Sequence, residues 1–280
     1  MPTSPSPRRA IKGAARAAPA APKPHALWPR IALIGLLAAL GVAIAVLPAS
    51  LASRVLPSGV QATDFSGTLW HGSAGRIMAG GRDAGALEWH LHPGALLRLR
   101  VAADLHWVKG GFDIDGAADL GHGDLTLTAV QGGGPISDLR DLGVAAGWRG
   151  LASVRLQTLS ADLSPKGLVL RSAVGEVDVA DASSPQIAAG ADLGSYALSF
   201  ADPSLPPDGE IAATLVDTGG PLSLNATITV SPQARTGLLS GSIKERADAP
   251  PALRRDLDNV AQLHARDPQG RIPVDLEFTF

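Results

Sequence analysis

The stretch ADLHWVKGGFDIDGAADLGHGDLTLTA, residues 103–129, decides the fold class. Ala103, Leu105 and Trp107 alternate with Asp104 and His106, until Val108 breaks the alternation and Lys109-Gly110-Gly111 ends the run. Phe112, Ile114, Gly116, Ala118 and Leu120 then interleave with Asp113, Asp115 and Asp119 up to Gly121-His122-Gly123. Leu125, Leu127 and Ala129 alternate in turn with Asp124, Thr126 and Thr128. A period of two places successive side chains on opposite faces of an extended backbone, so these are strands with one dry and one wet face. Glycine pairs at the breaks supply tight turns, and the three runs read as an antiparallel meander.

The same pattern extends outward. Val154 and Leu156 alternate with Arg155 and Gln157, and Ile228 and Val230 with Thr227 and Thr229. Turns are marked at Pro165-Lys166-Gly167, the centre of a hairpin, and at Pro207-Asp208-Gly209 and Gly219-Gly220. Residues 272–280 alternate again as a last strand. Two stretches depart from the period of two. Residues 136–146 carry Ile136, Leu139, Leu142 and Val144, with Ser137 as a candidate cap. Residues 250–264 open on Pro250-Pro251 and place Leu253, Leu257, Val260, Ala261 and Leu263 on one helical face, with His264 and Arg266 suited to its last turn. The expected fold is mainly β: an elongated antiparallel sheet able to curl, with one or two short helices, behind a single N-terminal transmembrane helix.

The helix is read from residues 31–47, IALIGLLAALGVAIAVL, which hold no charged or strongly polar side chain. Pro48, Ala49, Leu51 and Ala52 extend the run to about 20 residues, enough at ~1.5 Å each for a hydrocarbon core of ~30 Å. Trp28 and Arg30 stand where an interfacial aromatic and a positive anchor belong. Every charge before Asp64 is positive, from Arg8, Arg9, Lys12, Arg16, Lys23, Arg30 and Arg54. That bias orients the N-terminus to the cytoplasm and the remainder across the membrane. The domain organisation is thus a disordered basic arm over residues 1–27, an anchor over 28–53 and an exported β-rich domain over 54–280. A cleavable signal peptide cut after Ala52 is the competing reading; the long basic region and the long apolar run favour an uncleaved anchor.

Composition narrows the chemistry. The chain has no cysteine among its 280 residues, which excludes disulfides, thiolate metal sites and a cysteine nucleophile. A net charge of −2 and a single tyrosine give no ground for nucleic-acid binding. His90 and His92 share a strand face and permit a metal pair, with His71 or His106 as a third ligand. Trp89 and Leu91 claim the opposite, apolar face, so the histidines read better as the wet side of a strand. Asp113 and Asp115 lack the dense oxygen ladder of a calcium loop and read the same way. No nucleophile elbow or phosphate loop is present; Gly132-Gly133-Gly134 runs into Pro135. No catalytic residue, metal or cofactor is expected.

Four elements occur in order after the apolar run. They are Gly67-Thr68-Leu69-Trp70-His71-Gly72; Trp89 followed by Pro93 and the pair Leu96-Leu97; Gly219-Gly220-Pro221-Leu222; and Arg266 to Arg271 around Gly270. Their order resembles the type II secretion system protein N family, also called general secretion pathway protein N. The resemblance implies an accessory, non-catalytic inner-membrane component of the bacterial machine that exports folded periplasmic proteins across the outer membrane. Its partners would be other inner-membrane parts of that apparatus. The motif residues Gly67, Thr68, Leu69, Trp70, Gly72, Trp89, Pro93, Leu96, Leu97 and Gly270 read as structural: glycines for tight connections, Leu69 and Trp70 for packing, Pro93 for a break between strands. The chain also resembles AsmA-like periplasmic lipid-handling proteins, and an apolar face left open by a curled sheet would suit acyl chains.

Overall fold

A computed structural model describes residues 36, 41–43, 45–56, 59–164, 167–200, 210–231, 236–262 and 265–279. The expected basic arm and half of the expected anchor lie outside them. The chain divides into two units, Met1–Ala45 and Val46–Phe280. Residues 36, 41–43 and 45 of the first are helical. Among the described residues no helix is long and apolar enough to cross a membrane.

The second unit is one sheet of thirteen strands in strict sequence order, each antiparallel to the next. The strands are β1 (Val60–Gly67), β2 (His71–Ala79), β3 (Arg82–His92), β4 (Val101–Lys109), β5 (Phe112–Leu120), β6 (Asp124–Pro135), β7 (Arg149–Ser164), β8 (Gly167–Ser183), β9 (Asp192–Phe200), β10 (Ile211–Gly219), β11 (Leu222–Ser231), β12 (Thr236–Glu245) and β13 (Ile272–Thr279). β1 and β13 are the two edges, so the sheet is open. Twelve steps of ~4.8 Å make it about 58 Å wide. The meander read from residues 103–129 is β4, β5 and β6, with Leu105 opposite Gly116 and Ala118 opposite Leu127.

One part of that reading is corrected. Strict alternation puts Ala129 on the dry face. The register shifts in β5–β6, where Asp115 pairs Gln131 and Ala117 pairs Thr128. Ala129 is the extra residue, with φ 51° and an exposed side chain, and Val130 takes the inward place against Gly116. Similar shifts interrupt β2–β3, β7–β8, β8–β9 and β9–β10. Bulges bend and twist a wide sheet, and they account for part of the glycine content that turns alone do not use.

The strands separate their side chains as expected. The wet face carries ion pairs between neighbours, among them Arg155 with Asp178 at 2.5 Å and Arg171 with Asp162 at 2.6 Å. The dry face is covered in two places. A 3-10 segment, Ile136–Leu142, packs Ile136 and Leu139 on Phe112, Ala152, Trp107 and Trp148. The α-helix expected over residues 136–146 is therefore a shorter and tighter turn, ended by Gly143 at φ 114°. Ser137 does not cap it; its hydroxyl bonds Asp138 instead, and Asp138 accepts the N–H of Gly111 at 2.7 Å.

The second cover follows β12. After a four-residue turn, α1 (Pro93–Leu96), between β3 and β4, the only other α-helix among the described residues of this unit is α2 (Pro251–Ala261). It starts with Pro251 as a pre-set first residue and buries Leu253 and Leu257 against Leu193, Leu222 and Ile272, the last with 0 % exposure. Arg266, expected in the last helical turn, lies beyond it and folds back. Its guanidinium donates to both oxygens of Glu245 (2.8 and 2.9 Å) and to Asp258 (2.8 Å), tying β12 to α2.

Candidate functional site

The motif residues assemble at one end of the sheet. β1 ends at Gly67 and β2 starts at His71, with Gly67 paired to Gly72. Gly67 has φ 78°, and a Cβ there would stand 2.3 Å from the carbonyl of His71. The Thr68 N–H donates to that carbonyl at 2.9 Å, and its hydroxyl accepts the His71 N–H at 3.2 Å. The next two residues reach sideways. The Leu69 N–H donates to the carbonyl of Leu47 at 2.7 Å, and the Trp70 carbonyl accepts the N–H of Leu91 at 2.7 Å. Trp89 on β3 closes the group, its indole N–H donating to the Leu69 carbonyl at 2.9 Å. A Cβ at Gly72 would stand 2.6 Å from the Trp89 ring and 2.9 Å from the Cβ of Ala49.

The Gly-Thr-Leu-Trp-x-Gly element is thus a junction of the arriving chain, the β1–β2 turn and β3. The arriving chain takes part as a 3-10 segment, Ala49–Val55, whose Ala49 is buried, and through a bridge from Pro48 to Thr68. Residues 48–53, read from sequence as the far end of the anchor, pack on the sheet. Pro93 and Leu96 stand on α1 and Leu97 caps it, at the same end. Gly270 is apart from them, in the turn before β13 at the opposite end, where Asp267 accepts the backbone N–H groups of Gln269 and Arg271. Those bonds, the one from Arg271 N–H first, hold the Asp267 carboxyl below its ordinary pKa.

The dry face is left open in two hollows. One, of about 400 Å³, lies over β1–β4 beside the junction and is lined by Phe65, Leu69, Trp70, Ile77, Leu87 and Leu105 among others. The other, of about 790 Å³, lies over β8–β12 beneath α2, between Trp148, Ile187, Leu215, Leu224, Ile243 and Val260. The cluster of Phe112, Ile136 and Ala152 with both tryptophans packs between them. At the larger hollow Tyr196 donates to the Leu193 carbonyl at 2.6 Å. Burial, then the charges of Asp217 and Asp192, push its phenol up to about 12, so it stays neutral. Volumes of this order, with apolar walls and few polar groups, suit small apolar ligands. Sequence reading raised an open dry face only as an alternative and gave no place for it, because the covers come from Ile136 and Leu253, distant in sequence from the strands they shield.

The wet face gathers the histidines. The rings of His71 and His90 lie 3.8 Å apart and those of His90 and His92 5.3 Å apart. His92 pairs with Asp104 at 3.0 Å and His106 with Asp115 at 2.8 Å. Among the described residues no three His, Asp or Glu side chains are arranged to hold a metal ion. His92 and His106 find carboxylates across the strands, as exposed sheet pairs do.

Fold and site together define an open β-meander with apolar hollows on one face and a motif-built junction at one end. The chain belongs to the type II secretion system protein N family: the profile described as "Type II secretion system (T2SS), protein N" matches residues 58–275. It is also similar to a "Type II secretion system protein N" of Vibrio cholerae serotype O1 (strain ATCC 39315 / El Tor Inaba N16961), 40 % identical over 55 residues. That match covers 20 % of this chain and 22 % of the relative, about a fifth of either. No solved structure matches.

Proposed function

We propose that the chain is an accessory component of the type II secretion apparatus, anchored in the inner membrane and working as a non-catalytic scaffold in the export of folded periplasmic proteins. The family match over residues 58–275 carries this reading. In it, residues 31–47 span the inner membrane, the basic arm is cytoplasmic, and the thirteen-stranded sheet stands in the periplasm. The junction supports the scaffold role in physical terms. It locks the arriving chain to β1–β3 by backbone bonds, so that a force or position set at the anchor is passed to a stiff sheet. Partners are other inner-membrane components, met through the sheet's surfaces. In-cell crosslinking of the full-length protein, followed by identification of what it captures, tests the proposal. Recovery of secretion components is expected; their consistent absence across several crosslinking positions overturns it.

A second reading has one specific observation in its favour, the hollow of about 790 Å³ under α2 with almost wholly apolar walls. An acyl chain placed there would make the protein a lipid carrier or lipid-gated contact. Against a continuous lipid conduit stands the packed cluster around Phe112 and Ile136, which divides the dry face. Lipid recovered in fixed proportion from purified protein would favour this reading.

A further inference from the structure

The connection between β3 and β4 is built to hold leucines out in solvent. Leu97 is 90 % exposed and Leu99 73 %, the two most exposed large apolar side chains among the described residues. Their outward placement is enforced. Pro93 stops β3, and the N–H groups of Arg98 and Arg100 both bond the Ala95 carbonyl, at 2.9 and 3.2 Å. Leu99 adopts φ 55°, a backbone conformation that a γ-branched L-residue avoids without outside restraint. The restraint is Arg100, whose guanidinium is held by Asp119 at 2.5 Å and Asp124 at 2.8 Å on the β5–β6 turn. Among the described residues no carboxylate pairs with Arg98, between the two leucines, so its guanidinium stays at the tip.

The neighbouring turn says what the tip meets. The β1–β2 turn, two strand positions away or about 10 Å, holds Leu47 through the Leu69-to-Leu47 hydrogen bond. If residues 31–47 span the membrane, their last residue, Leu47, is fixed to the neighbouring turn, and a tip beside that turn is tethered to the bilayer surface at high effective concentration. Leucines flanking an arginine match that surface: the apolar side chains enter the acyl boundary, and the guanidinium stays with the phosphates.

We propose that the Leu96–Arg100 tip is a second membrane contact, seating the near end of the sheet on the lipid headgroup region. This rests on reading residues 31–47 as the span. The two contacts together, one covalent and one peripheral, would fix the sheet's tilt over the bilayer.

The absence of native cysteine makes the test clean. Full-length Leu97→Cys and Leu99→Cys variants, each labelled with an environment-sensitive fluorophore, are placed in phosphatidylethanolamine/phosphatidylglycerol nanodiscs. The nanodiscs carry a nitroxide at a shallow acyl position. A label at Leu142→Cys, at the opposite end of the sheet, is the reference. The expected result is blue-shifted emission with roughly twofold quenching at positions 97 and 99 and neither at 142. Emission and quenching equal to those at 142 overturn the inference, as does a blue shift without lipid quenching, which would mean a protein contact. Alkaline extraction of the same full-length protein decides the span separately, because a protein held by the tip alone would be quenched yet extracted.

Discussion

The indole N–H of Trp89 donates to the carbonyl of Leu69 at 2.9 Å. It joins two motifs that lie twenty residues apart in the chain into one contact. The Trp89 ring also covers Gly72, so three of the motif positions explain one another: the ring needs the space, the glycine leaves it, and the Leu69 carbonyl receives the only polar atom of the indole. Replacing Trp89 by Phe keeps an aromatic ring, though a smaller one, and removes the donor. A loss of about 1 kcal/mol in denaturant unfolding of the full-length protein is expected. An unchanged midpoint would show that water replaces the bond at no cost.

Gly72 and Gly67 are required for different reasons, and their substitutions separate the two. Gly72→Ala drives a methyl group into Trp89 and Ala49, an overpacking worth about 1–3 kcal/mol. Gly67→Ala adds the cost of a left-handed conformation, about 1–2 kcal/mol, to a clash with the His71 carbonyl. Gly94 in α1 has an ordinary φ and nothing within 4 Å of a Cβ, so Gly94→Ala should be neutral. Thermal unfolding of the three variants side by side checks the order.

The clamp of α2 to β12 depends on pH. Burial is the largest single influence on Glu245 and raises its pKa, but the hydrogen bonds from Arg266, a backbone hydrogen bond and the positive charges of Arg266 and Lys244 together outweigh it, and the folded value lies below the ordinary 4.5. A carboxylate whose folded pKa is depressed adds stability that is present above its unfolded pKa and is lost as pH falls through the folded one. Stability should therefore decline as the pH drops below about 4.5, by more in the native protein than in Arg266→Gln. Unfolding midpoints of both between pH 6 and pH 3, roughly the range in which carboxylates titrate, test this; parallel curves would assign the acid loss to other carboxylates.

If acyl chains occupy the larger hollow, filling it should displace them. Leu224 faces the hollow from β11, opposite Ile243 on β12. Leu224→Trp should lower the lipid co-purifying with the protein several-fold while leaving crosslinks to secretion components in place. Equal lipid content in both proteins would assign that lipid to the membrane segment.

Burial of α2 is a conventional core test of the dry face. Leu253 is 2 % exposed against Leu193, Leu222 and Ile272. Leu253→Ala should cost about 2–5 kcal/mol and loosen the hollow's outer wall. Faster amide exchange along β11 and β12 than along β4 and β5 would show that the loss is local.

How much was legible in advance depended on the range of the interaction. The alternation in residues 103–129 and at Ile228 and Val230 is a local signal, because successive side chains on a strand must face opposite ways. Glycine and proline at turns are local too, and so the meander, its hairpins and the wet-face histidines could be read directly. The bulge at Ala129 could not, since the register is set by β5 across from it. Ser137 failed as a cap because the turn starts at Ile136 with Pro135 at the capping position, which leaves Ser137 inside it.

The sequence by itself determined a period-two chain behind an apolar run, the turns that fold it into a meander, and the ordered motifs of a protein family. Tertiary structure alone decided that Leu47, Leu69 and Trp89 meet in one junction, that the dry face stays open over β1–β4 and β8–β12, and that Arg266 leaves its helix to clamp Glu245. The physical reason is that alternation and turns are properties of neighbouring residues. A junction or a hollow arises only when strands remote in sequence are hydrogen-bonded side by side and their covers fall where there is something to bury.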